Sequence, residues 1–183
     1  MNTVRRGLGI PTFLNQVLPL LHPASPKKRI LGVARKYYKN IPTFSRILAH
    51  EGVSAIAVTG EDGSDEVSVA SGTVIQGIGT ENGGKSTIFP GDPGIGLGSW
   101  PISAITVKTA GESAALIRDA FNPKKNGGAA YDALCLNTAV ALSFIRRMEL
   151  GLGLREAKMV IESGAAIDKL QEIVAITTAL QKS

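Results

Sequence analysis

Ser54-Ala55-Ile56-Ala57-Val58-Thr59-Gly60-Glu61-Asp62-Gly63-Ser64-Asp65-Glu66-Val67-Ser68 runs from an apolar stretch straight into four acidic side chains packed within six residues, Glu61 to Glu66. The stretch from Ser54 to Thr59 is short and apolar and reads as a buried strand. Upstream, Ile41 to His50 reads as a helix, with Pro42 in its first turn and Gly52 just past its end. Before that helix, Ile30-Leu31-Gly32-Val33 reads as a short strand. Strand, helix, strand, turn is a βαβ rhythm, which predicts an α/β fold: a mostly parallel sheet with helices packed on it.

The acidic cluster has two readings. Asp62-Gly63 suits a tight turn between two strands, which makes the cluster a solvated acidic turn. Carboxylates crowded together also repel one another, and a hard cation such as magnesium relieves that repulsion, commonly by bridging carboxylates to a substrate phosphate.

Downstream, Thr73 to Gln76 reads as a short strand and residues 77–100 as a glycine- and proline-rich loop region. Residues 111–121 read as a helix and residues 122–128 as a loop. Residues 129–148 form a long, mostly apolar helix expected at the centre of the core. Residues 154–163 form another helix closed by Gly164, and residues 165–180 a last amphipathic one. Near the start, Thr12 to Leu21 carries one broad apolar face, interrupted by Pro19 and ended by His22-Pro23. Lys27-Lys28-Arg29 reads as a surface charge run.

Gly79-Thr80-Glu81-Asn82-Gly83-Gly84-Lys85-Ser86 matches the phosphate-binding pattern G-x-x-x-x-G-K-[ST] at every fixed position. That chemistry requires a helix to start at the Lys-Ser pair, so that amides and dipole face the phosphate. Thr87 to Gly94 holds two prolines and two glycines and cannot supply one. The segment reads as a glycine-rich hairpin or loop.

The chain has 183 residues, a single-domain length able to bury a core. Its formal charge of +5 suits a phosphorylated ligand or a nucleic acid without singling out either. Aromatic residues, at 5%, are too few for a base-stacking platform of several rings. The single cysteine, Cys135, excludes an intrachain disulfide or a cysteine-type metal site and reads as a small buried hydrophobe. No uninterrupted apolar stretch reaches membrane-spanning length, no convincing signal peptide opens the chain, and a cytoplasmic location without membrane contact is expected.

Several segments, in order, resemble the anthranilate phosphoribosyltransferase family. Asn2-Thr3-Val4-Arg5-Arg6-Gly7-Leu8-Gly9-Ile10-Pro11-Thr12-Phe13-Leu14-Asn15 is similar to that family's N-V-R-x-x-L-G-I-R-T-x-F-N, and the continuation Val17-Leu18-Pro19-Leu20-Leu21-His22-Pro23-Ala24 to the L-x-G-P-L-x-N-P-A that follows it. Asp62-Gly63-Ser64-Asp65-Glu66-Val67-Ser68 resembles D-G-x-D-E-x-S, and Leu136-Asn137-Thr138-Ala139 resembles L-N-x-A. Residues 155–170 continue the match. The resemblance implies the α/β fold of that family's large domain, shared with nucleoside phosphorylase-like transferases. It also implies transfer of phosphoribosyl from 5-phosphoribosyl 1-pyrophosphate to anthranilate in tryptophan biosynthesis. Asp65 and Glu66 would then bind Mg2+ with the pyrophosphate, and Arg5 would contact the anthranilate carboxylate, although an exposed terminal arginine is the plainer reading.

The departures matter too. The family's chain is roughly twice as long, and its first half carries a helical domain, a G-T-G-G-D loop and a K-H-G-N-R segment that do not occur here. Residues 1–183 are therefore expected to form one partial domain, inactive alone, needing a partner chain for the N-terminal half and prone to self-association. Pro11, Leu18 and His22 replace the family's Arg, Gly and Asn. The alternative is a non-catalytic homologue that binds nucleic acid or a protein. A nucleoside phosphorylase fits the motifs less well.

Overall fold

The computed structural model describes residues 20–22, 24–81 and 83–180. Arg5 and nearly all of the expected Thr12–Leu21 helix lie outside them. Four strands form one sheet in chain order: β1 (Lys28–Gly32), β2 (Ser54–Gly60), β3 (Thr73–Gly79) and β4 (Lys85–Ile88). Between β1 and β2 the chain makes a short 3-10 helix, Arg35–Asn40, and then α1 (Ile41–His50). Four more helices follow: α2 (Ala110–Ala120), α3 (Ala129–Arg146), α4 (Leu150–Glu162) and α5 (Ala165–Leu180).

Strand β2 explains the unbroken apolar run, because it is covered on both faces. Ile56 and Val58 face Leu136, Ala139 and Leu154 of α3 and α4. Ala55 and Ala57 face Ile41, Phe44 and Leu48 of α1, together with Leu31 and Ile78. Alternate side chains of one strand thus enter two separate cores.

The α/β class holds, but strand direction differs from the mostly parallel expectation. β1 pairs with β2 in parallel, Lys28 opposite Ser54, across the expected helical crossover. β2–β3 and β3–β4 are antiparallel. The reason is the connections: no helix lies between β2 and β3 or between β3 and β4, and a parallel return needs a long crossover, usually helical. Strand β4 also falls within residues 77–100, where the sequence shows mainly turn residues.

Helix α4 starts at Leu150, four residues before its expected start. Gly151 and Gly153, which argue against helix by propensity, let α4 approach its neighbours closely. A Cβ on Gly153 would lie 3.0 Å from the Ala139 carbonyl oxygen of α3. Helix α5 has no buried residue and exposes Ile173, Val174, Ile176 and Leu180. Among the described residues no helix is long and apolar enough to cross a membrane.

Candidate functional site

The parallel strands β1 and β2 end side by side, and the acidic loop 61–72 leaves from the end of β2. Gly32, the last residue of β1, lies directly under this loop. A Cβ there would sit 2.0 Å from the Asp65 carbonyl oxygen, so the loop seats itself where a side chain would be. The Gly63 carbonyl accepts from the Arg35 amide at 3.4 Å, and the Gly60 amide donates to the Ser64 carbonyl at 3.0 Å.

Asp62 organises the loop from within. Its Oδ1 accepts from the Ser64 amide at 3.0 Å and from Ser64 Oγ at 2.7 Å, and its Oδ2 accepts from Ser68 Oγ at 2.6 Å. The bond to the amide two residues on is an Asx turn. Partial burial alone would raise the Asp62 pKa, but the donors from Ser68 and Ser64 outweigh it and hold the carboxyl below its ordinary value. Ser68 extends the network: its Oγ accepts from the amides of Ala70 and Ser71 at 2.9 and 3.0 Å, and its own amide donates to Thr73 Oγ1 at 2.8 Å.

The far limb of the loop is pinned by helix α3. Asn137 Oδ1 accepts from the Val67 amide at 3.0 Å, while its Nδ2 donates to the Val67 carbonyl at 2.9 Å and to the Ala133 carbonyl at 2.9 Å. Val67 is itself buried, at 3% exposure, in the core beneath.

Between the Asp62 network and the Asn137 clamp stand Asp65 and Glu66. Both are exposed, and among the described residues neither carboxylate takes part in a hydrogen bond or ion pair. Two adjacent hard oxygen donors suit Mg2+, which keeps several waters and completes its shell with substrate phosphates. Among the described residues no group of three or more His, Cys, Asp or Glu is placed to form an all-protein cage.

The second phosphate-like motif turns out as the hairpin joining β3 to β4, with Lys85 and Ser86 inside a strand. Two of its amides are tied into the protein: Gly79 donates to Ser45 Oγ at 3.0 Å and Thr80 to the Val53 carbonyl at 2.9 Å. Lys85 Nζ lies 5.1 Å from the centre of the Tyr38 ring.

The structure brings Asp65 and Glu66 together on one loop, while Arg5 lies outside the described residues. Sequence reading treats Asp62 as a plain turn residue; its Asp-x-Ser spacing was the available signal for an Asx turn. The clamp by Asn137 had no local signal, since its partner lies 70 positions away. Cys135 is fully buried, and burial foremost pushes its thiol up to about 11, as suits a small core residue.

The family model described as glycosyl transferase family, a/b domain, matches residues 1–167. The chain belongs to this glycosyl transferase family. Its relatives include the anthranilate phosphoribosyltransferase of Thermomicrobium roseum, 34% identical over 185 residues, spanning 98% of this chain and 51% of that protein. Among solved structures, the anthranilate phosphoribosyltransferase of Saccharomyces cerevisiae in complex with PRPP and Mg superposes with a TM-score of 0.83 at 27% identity, over 97% of this chain and 50% of that one. The same yeast enzyme in complex with 4-fluoroanthranilate gives 0.83 at 27%, over 97% and 51%. The chain spans about half the length of the curated relatives it matches. Within this glycosyl transferase fold, the acidic loop at the strand ends is the candidate site.

Proposed function

We propose that residues 1–183 supply the acidic-loop half of an anthranilate phosphoribosyltransferase site, working in the cytoplasm in tryptophan biosynthesis. The observation that carries this reading is the division of labour among the acids: Asp62 is engaged inside the loop, and Asp65 and Glu66 are open beside it. The named relatives, and the yeast enzyme's complexes with PRPP and Mg and with 4-fluoroanthranilate, support the substrate class.

In this reading Asp65 and Glu66 hold Mg2+ together with the pyrophosphate of 5-phosphoribosyl 1-pyrophosphate. The ion, when bound, neutralises charge developing on the departing pyrophosphate. The loop's contribution is placement: its clamped limbs fix both carboxylates before the ligand arrives. Arg5 pairs with the anthranilate carboxylate, a planar partner suited to a guanidinium. The remainder of the site belongs to the half of the relatives' length that residues 1–183 do not span. The exposed apolar side chains of α5 are consistent with self-association or with cover by that other half.

Calorimetric titration of 5-phosphoribosyl 1-pyrophosphate into the chain tests this. Binding is expected only with Mg2+ present and is expected to vanish in Asp65→Asn combined with Glu66→Gln. Metal-independent binding, or binding untouched by the double substitution, refutes it. Residues 1–183 alone are expected to release no pyrophosphate with anthranilate, and robust turnover would overturn that part.

A nucleic-acid-binding homologue is the second reading. It is favoured by the cations gathered on two tyrosines: Arg35 and Lys85 over Tyr38 at 5.4 and 5.1 Å, and Lys36 over Tyr37 at 5.0 Å. None of the three is in an ion pair among the described residues. Steeply salt-dependent RNA or DNA binding would support it, and no binding at low salt would end it.

A further inference from the structure

The candidate ligands Asp65 and Glu66 are exposed and their carboxylates make no hydrogen bond or ion pair among the described residues, so something else must hold them in place. On the near side Gly32 and Asp62 set the loop against the sheet. On the far side the residue immediately after Glu66 is Val67, and both of its backbone polar groups are taken by one side chain, Asn137.

We infer that Asn137 is a positioning residue that sets the Glu66 carboxylate for the metal–pyrophosphate complex, through the Val67 backbone. This rests on the proposed role of Asp65 and Glu66.

Three features make Asn137 suited to the task. Its amide reproduces what a neighbouring strand would offer Val67, an acceptor for the N–H and a donor for the C=O, so it fixes both the position and the tilt of that peptide. Its third bond, to the Ala133 carbonyl one helical turn back, locks its own orientation. Helix α3, which carries it, is anchored in the core by Cys135, Leu136 and Ala139, each fully buried. The loop position is therefore transmitted from the rigid centre of the domain. A carboxylate at this position would lose the donor to the Val67 carbonyl, and a longer amide would not keep the same reach.

The test compares Mn2+ binding in the presence of 5-phosphoribosyl 1-pyrophosphate, followed by electron paramagnetic resonance, in the wild-type chain, Asn137→Ala and Leu154→Ala. Leu154 is buried in the same core but touches neither the loop nor Asn137 through a hydrogen bond, so its truncation reports general destabilisation. All three are measured well below their melting temperatures. Asn137→Ala is expected to weaken metal binding by roughly ten- to a hundredfold, the usual effect of removing a group that orients metal ligands, with Leu154→Ala unchanged within about twofold. Wild-type affinity in Asn137→Ala, or an equal loss in Leu154→Ala, overturns the positioning role and leaves the proposed function standing. Absence of binding in the wild-type chain overturns both.

Discussion

Two loops flank strand β3, and both are spelled like phosphate chemistry. The hairpin 80–84 carries the more explicit motif, and the acidic loop 61–72 the less explicit one. In both, some backbone amides are tied into the fold: Asp62 and Ser64 donate to Ser71 Oγ and Asp62 Oδ1, and Gly79 and Thr80 to Ser45 Oγ and the Val53 carbonyl. The difference lies in what is left over. The hairpin leaves Lys85 in a strand beside a tyrosine ring. Among the described residues the acidic loop leaves Glu61, Asp65 and Glu66 without a carboxylate hydrogen bond or ion pair, and the last two stand between two clamps. A binding motif is thus defined by which groups stay free once the fold has satisfied its own hydrogen bonds, and its spelling is only a first indication.

The sharpest way to break the comparison is Gly32→Ala. The added Cβ meets the Asp65 carbonyl at 2.0 Å, so the acidic loop must leave its seat. A loss of about 1–3 kcal/mol in urea denaturation is expected from such overpacking. Gly84→Ala on the other loop meets nothing within 4 Å and is expected to be near neutral. Equal costs at the two positions would mean that the acidic loop is not specially seated.

Asp62→Ala should follow, removing an acceptor for three bonds at a cost of ~1–2 kcal/mol. Its pH dependence has a definite sign. The folded pKa is depressed below 3.8, so the contribution is fully present above that value and is lost as pH falls through the lower folded value. In acid titration of stability, Asp62→Asn is expected to show a shallower acid limb than the wild-type chain. Identical limbs would contradict the engaged-carboxylate account.

The smallest effect belongs to Lys85→Ala, expected within about 0.5 kcal/mol of wild type, as for an exposed surface change. No tight ATP binding is expected in either form. Loss of such binding in the variant would restore the phosphate-loop reading.

Much of this architecture was legible because local chemistry and fold agreed. Pro42 and Gly52 bracket α1 where the structure has it, and the run from Ser54 reads as a strand because β2 is buried on both faces. Gly164, at φ +82, ends α4 as a left-handed cap should. What escaped was tertiary. Strand direction depends on connections whose lack of a helix is hard to read from loop-rich sequence. The glycines of α4 look like helix breakers until α3 is seen against them. Charge marked the cluster from Glu61 to Glu66 and the family resemblance singled out Asp65 and Glu66 within it, whereas Ser68, Gly32 and Asn137, which with Asp62 hold the loop, carry no such mark.

The central claim is that metal and substrate pyrophosphate meet at the acidic loop and not at the hairpin. Paramagnetic broadening tests it most directly, with Mn2+ and 5-phosphoribosyl 1-pyrophosphate added to the isotope-labelled chain. The account predicts that backbone amide signals of residues 63–68 broaden first while those of residues 79–86 persist. Broadening centred on residues 79–86, or no selective broadening at either loop, would contradict it.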